Sequence, residues 1–228
     1  MNQAAISADI ISFTALAEGD RERLWNLMET ELKELEKAYN KVVIVSRLVS
    51  GDHIEMALRQ PQKSLRIALI LKSRVKMFET KAQPVEESRA KYFDERGLRI
   101  AIGVGPDLSV SKETGLIDGE PIYMTGRKLQ KQSTAGKEKI FIKNTLYFCS
   151  QHQDWNEKYE LLFSFIDTLI SHCSKKQSEV LYYRLLGKQE AEIAKILQKS
   201  QSTVSHHAKL SGWHVIEKAL NMYEKEIQ

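Results

Sequence analysis

The feature that most constrains this chain is a change of pattern at Lys143. Before it, β-branched runs alternate with segments of helical spacing; after it, only helical spacing remains. Ala4–Ile11 is an Ile-rich apolar run that predicts a buried strand. From Asp20 to Tyr39, apolar residues recur at Leu24, Leu27/Met28, Leu32 and Leu35, which is helix spacing. Lys41–Val49 is β-branched, Ser50-Gly51-Asp52 is a turn signal, and His53–Leu58 reads as the returning strand of a hairpin. Ser64–Phe78 is again helical, and the charged stretch Thr80–Arg96, broken by Pro84, is a loop or an exposed helix. Leu98–Val104 alternates as a strand, Pro121–Gln132 predicts a helix, and Glu138–Ile142 predicts a short strand.

The first six elements run β-α-β-β-α-β, which is a ferredoxin-like split βαβ arrangement. The expected architecture is therefore α+β over residues 1–145, a connector at Asn144–Trp155, and an all-α domain over 156–228. Four helical segments fill that second domain: Asn156–His172, Lys175–Leu186, Glu190–Leu197 and Gln201–Lys225. A chain of 228 residues accommodates one medium and one small domain. The opening residues carry no basic cluster, and no stretch is long and apolar enough for a membrane span, so a signal peptide and a membrane protein are both excluded. Cys149 and Cys173 sit apart with no metal spacing and read as reduced thiols of a cytoplasmic protein. From Gln151 onward there are ten Lys/Arg and ten Asp/Glu, so the net charge of +4 belongs to Met1–Ser150.

Within the all-α part, Gly187–Trp213 has the spacing of two closely crossed helices. Ala194 is the small residue such a crossing needs, Val204 anchors the second helix, and Ile193, Ile196 and Leu197 complete the inner face. Ser200 is placed to cap the second helix. Gly187, Glu192-Ile193-Ala194, Ser200, Thr203-Val204 and His207 resemble the helix-turn-helix of LuxR-type regulators and of the promoter-reading region of sigma factors. Gln198 stands where the turn residue is often Gly, and Gln189 where the cap is often Ser. The resemblance implies that the second helix enters the DNA major groove. With Val204 and Ala208 inward, the residues expected at DNA are Lys199, Gln201, Ser202, Thr203, Ser205, His206 and Lys209. No acidic residue lies between Lys199 and Val215, which suits phosphate contact although the domain is neutral. One copy is expected to bind modestly, hence a homodimer on DNA.

A second set of residues lies in the first part. Asp9 follows an apolar strand and Asp52 sits in a hairpin turn, a placement that can bring two carboxylates together to hold Mg²⁺ against a nucleotide. Ala8-Asp9-Ile10-Ile11-Ser12-Phe13-Thr14, Ser50-Gly51-Asp52, Leu98–Pro106 and Gly119–Arg127 resemble, in order, motifs of the class III nucleotide cyclases. That resemblance implies metal positions at Asp9 and Asp52 and a nucleotide contact at Arg127. Tyr123 stands where that family has its transition-state Asn, and Leu48 and Leu116 where it has its base-selecting Lys and Asp. Replacing that polar pair by leucines removes base recognition, so no active purine cyclase is expected and no catalytic residue is assigned. The whole chain also resembles the SatD-like bacterial regulatory proteins, on the Asp-Ile-Ile opening, the Gly-Asp hairpin and Asp118-Gly119 with Gly126-Arg127.

The expected function is a DNA-binding transcriptional regulator whose cyclase-like domain dimerises and is a candidate for binding a ligand, Mg²⁺ with a nucleotide being the one implied. The alternatives are an active metal-dependent nucleotidyl cyclase with a DNA-targeting tail, and a module that docks on RNA polymerase.

Overall fold

The computed structural model describes residues 1–111, 113–132 and 142–227. It is a mixed α+β structure built on a five-stranded sheet. The elements are β1 (Gln3–Ile10), α1 (Glu18–Ala38), β2 (Val43–Val49), β3 (His53–Leu58), α2 (Ser64–Lys76), α3 (Glu87–Arg96), β4 (Leu98–Gly105), β5 (Ser109–Val110), β6 (Ile117–Asp118), α4 (Glu120–Gln132), β7 (Leu146–Ser150), α5 (Gln153–Ser171), α6 (Lys175–Leu185), α7 (Glu190–Leu197), α8 (Gln201–Leu210) and α9 (Trp213–Glu226).

The sheet order is β2-β3-β1-β4-β7, and β5 pairs with β6 separately. Neighbours β2/β3, β3/β1 and β1/β4 are antiparallel, and β7 joins β4 in parallel. Side chains alternate across β1 as the pleat requires. Ala4, Ile6, Ala8 and Ile10 enter the main core, which collects residues from α1, α2, α5, α6, α8 and α9. Ala5 faces the other way, toward Ile122 of α4 and Leu108. Helix α4 lies close on that second face because β4 carries Gly103 there. A Cβ at Gly103 would sit 2.2 Å from the Pro121 carbonyl oxygen.

Two expectations change, and one open alternative is decided. The connector at Asn144–Trp155 contains a strand: Leu146–Ser150 is β7, with Leu146, Tyr147 and Phe148 buried. A short run with apolar residues on both faces has no period to announce it. The single helix expected over Gln201–Lys225 is two, because Gly212 takes a left-handed conformation (φ 71°) that ends α8 and starts α9. The charged stretch Thr80–Arg96 contains helix α3, anchored by buried Ala90 and Phe93. The strand expected at Glu138–Ile142 lies, except for its last residue, outside the described residues.

The parts expected as residues 1–145 and 156–228 share one hydrophobic core. Polar bonds reinforce it. Lys72 of α2 and Asp167 of α5, both 1% exposed, form an ion pair at 3.2 Å. The Lys72 ammonium also donates to the Leu98 carbonyl (2.8 Å) and to Thr145 Oγ1 (2.6 Å), and Asp167 accepts from the Thr145 hydroxyl at 2.7 Å. Burial opposes charge on Asp167, but Lys72 and Thr145 more than reverse this and hold its carboxyl below the ordinary range. Buried Glu31 of α1 accepts from the Tyr182 hydroxyl of α6 at 2.9 Å and lies 3.1 Å from Arg74 Nε. In α9, Glu224 takes Lys63 and Arg66, and the Tyr223 hydroxyl meets Ser64.

Helix side chains also occupy one backbone position on each edge strand of the sheet. On β2, Glu36 accepts from the Ser46 N–H at 2.7 Å. At the end of β7, the Asn156 amide accepts from the Ser150 N–H (2.8 Å) and donates to its carbonyl (2.7 Å).

Candidate functional site

Two groups of expected site residues can be located. The first lies on the sheet face shared with α4. Register places His53 of β3 and Arg99 of β4 on either side of Asp9 in β1. Arg47 pairs with Glu55 one row further along the sheet. Side chains in this patch alternate in charge. His53 Nδ1 is 2.6 Å from Asp9 Oδ1, and its Nε2 is 3.6 Å from Glu55. Arg47 donates to Glu55 Oε2 from Nε at 2.9 Å and from Nη2 at 2.7 Å. The hydrogen bond to Asp9, helped by Glu55, raises the His53 pKa to about 9, so the ring is a cation at neutral pH.

Asp52 is brought to the same end of the sheet: its carbonyl accepts from the Ile10 N–H at 3.0 Å. Burial, and then the charge of Asp9, raise its carboxyl pKa. The chain bends sharply on both sides, with Ser12, Ser50 and Gly51 at positive φ. Asp9 and Asp52 are thus close enough to feel each other, as metal ligands must be. Asp9 already has a partner in the His53 ring, 2.6 Å away, which a divalent ion would have to displace. Among the described residues, no group of three or more His, Cys, Asp or Glu side chains converges as a complete metal cage, although two carboxylates can suffice for Mg²⁺ held against a nucleotide. Arg99 is 5% exposed, and its Nε has no hydrogen-bond partner. The sequence patterns that picked out Asp9 and Asp52 gave no sign of His53, Glu55, Arg47 or Arg99, because cross-strand neighbours depend on register.

Arg127 is the third residue expected at this site. It projects from α4, well exposed, and pairs with Glu120 at 3.0 Å. It lines an open cleft of about 430 Å³ with Arg47, Glu55, Leu116, Ile117, Ile122, Tyr123 and Gly126. The Tyr123 hydroxyl in this cleft donates to Asp118. Leu116 and Tyr123 are both exposed here, so the cleft wall combines apolar surface with two arginines, Arg47 and Arg127, and the carboxylate of Glu55.

The second group lies on α8. Val204 and Ala208 are buried against α6 and α7, while Gln201, Ser202, Ser205, His206 and Lys209 are exposed and Thr203 is half-buried. Lys199 is exposed in the turn before it. Ser200 caps the helix by accepting from the Thr203 N–H at 3.1 Å. At the start of α7, where Gln189 replaces a capping serine, Glu192 reaches back to the Gln189 N–H at 2.9 Å. Gln198, between α7 and α8, holds the left-handed conformation (φ 52°) that glycine most readily supplies. Beside α8, a groove of about 200 Å³ is lined by Glu190, Ser205, Ala208, Lys209, Trp213 and His214. No helix among the described residues is long and apolar enough to cross a membrane.

No known protein family matches the chain, and no curated protein is significantly similar to it. Among solved structures, the crystal structure of the guanylyl cyclase Cya2 overlaps 56% of this chain and 68% of its own, at 12% identity and a TM-score of 0.35. An overlap that loose leaves the chemistry of this chain to be argued from its own residues.

Proposed function

We propose that the protein is a DNA-binding transcriptional regulator that acts as a homodimer, with α7 and α8 forming a helix-turn-helix. The observation that carries this reading is the two-sided character of α8. One side is buried on Val204 and Ala208; the other presents Gln201, Ser202, Ser205, His206 and Lys209. Short polar side chains with few charges suit base edges, and Lys199 and Lys209 suit phosphates. A capped, rigidly docked helix loses little freedom on entering a major groove. The sheet domain, in this reading, is ferredoxin-like and related in fold to nucleotide cyclases. The antiparallel order β2-β3-β1-β4 is consistent with that.

The test is selection from a random duplex pool with the full chain, followed by footprinting on the enriched site. Lys209→Ala should weaken binding on all sequences and lower the salt slope by about 1, whereas Gln201→Ala should cost roughly 1–3 kcal/mol at one base position. Failure to retain any duplex at low salt would end this reading.

A further inference from the structure

The structure assigns a pairing surface to the exposed stripe of α5, and its occupant is the same stripe of a second copy, packed antiparallel about a two-fold axis. Among the described residues other than Met1 and Val85, Phe165 (63%) and Leu161 (61%) are the most exposed large hydrophobic side chains. They are four residues apart and so lie together on one face of α5, opposite buried Tyr159, Phe163, Ile166 and Ile170. Exposed Glu157, Thr168 and His172 continue the same stripe. An apolar pair on a face that contributes nothing to the core of its own chain is the usual mark of a contact.

Charge says what covers it. The N-terminal end of the stripe carries Asp154, Glu157 and Glu160, all exposed, and one cation, Lys158, which is paired with Glu226, so its balance is acidic. Beyond the apolar middle, the other end carries His172, which caps α5, and a little further along the chain Lys176 from the start of α6, both exposed. A surface acidic at one end, apolar at the centre and basic at the other is complementary to itself turned through 180°, which is the condition for an isologous contact. Placing the axis between Ser164 and Phe165 sets Glu157 opposite the second copy's His172, Leu161 opposite its Thr168, and the two Phe165 rings together. The 19 residues of α5 extend about 28 Å, so both ends can engage at once. A helix pair alone is at the small end of stable interfaces, which sets the expected dissociation constant in the micromolar range.

The sheet face beside α4 is a second candidate surface for pairing. It is taken up by the charge network of Arg47, Glu55, His53 and Asp9, which would have to lose water to be covered. The α5 contact supplies the dimer that the DNA-binding reading calls for, but it stands on the surface of α5 alone.

Sedimentation velocity on the full chain from about 1 to 200 µM tests it. The wild type should dimerise, and Phe165→Glu should raise the dissociation constant at least ~10-fold, with thermal melting unchanged at concentrations low enough that both are monomers, since the site is exposed. The register is tested separately. Leu161→Cys mixed with Thr168→Cys should give an intermolecular disulfide under mild oxidation, and neither variant alone should do so. A wild type that stays monomeric throughout, or a Phe165→Glu variant that dimerises like the wild type, would overturn the proposal. DNA binding is read on the same samples. A dimer that binds no duplex ends the DNA reading and keeps the interface, whereas a wild-type monomer that footprints a site does the reverse.

Discussion

Replacing Asp167 by Asn removes one charge from the latch between α2 and α5 while keeping its shape. The Lys72 ammonium then stays 1% exposed, with the Leu98 carbonyl and Thr145 hydroxyl as partners but no counter-charge. Stranding one member of a buried ion pair costs about 3–5 kcal/mol. For a domain of this size each kcal/mol moves Tm by roughly 2–4 °C, so the expected drop is about 6–20 °C. Burial alone already depresses the Lys72 pKa, and losing Asp167 must depress it further. Its folded-state pKa then lies below the unfolded one, so stability rises with pH across that interval and the Asp167→Asn deficit should narrow toward pH 10. Replacing both residues by apolar ones of similar size (Lys72→Met with Asp167→Leu) should recover most of the loss. Urea unfolding followed by circular dichroism at pH 7 and pH 9.5 measures all of this. A single-mutant loss under about 1 kcal/mol, or a deficit that widens with pH, would show that Lys72 is not held as a buried charge.

Other outcomes follow from the same geometry. His53 has a folded pKa of about 9 against an ordinary 6.5, so its pairing with Asp9 stabilises fully below about pH 6.5 and is lost as pH rises through 9; Asp9→Asn should flatten this part of the stability–pH curve. Gln198→Gly relieves a left-handed non-glycine residue and should add roughly 0.5–1 kcal/mol in thermal unfolding without changing DNA binding. Gly103→Ala forces a methyl against the Pro121 carbonyl and should either abolish soluble folded protein or displace α4, as read by hydrogen exchange along that helix. Wild-type unfolding should be a single transition, because one core joins the sheet to the C-terminal helices; two well-separated transitions would refute that.

Much of the framework was legible in the chain because period and punctuation agree there. Ser50-Gly51-Asp52 between β-branched runs marks the β2–β3 hairpin, and Ser200 followed by Val204 and Ala208 marks the start and inner face of α8. What escaped has a common cause. The strand β7 is short and apolar on both faces, so alternation could not reveal it. Gly212 could belong to a helix interior or to a break, and only its left-handed conformation decides. The carboxylates at Asp9 and Asp52 stood out through their local setting, but the imidazolium that satisfies Asp9 comes from a cross-strand register. Lys72 and Asp167 are 95 positions apart by their numbers, and nothing in either segment announces a partner.

The amide of Asn156 holds Ser150 by both its N–H and its carbonyl, much as the backbone of a further strand would. With Glu36 occupying the Ser46 N–H at the opposite margin, the sheet is fenced by two side chains from helices. Such fencing decides how copies of the chain can meet at high concentration. Growth by strand addition, the route to irreversible aggregates, would have to displace one of these side chains at either margin. Assembly is thereby steered toward contacts between helices, which are reversible and limited in number. Asn156→Ala, although it touches no proposed binding surface, should therefore shorten the shelf life of concentrated protein.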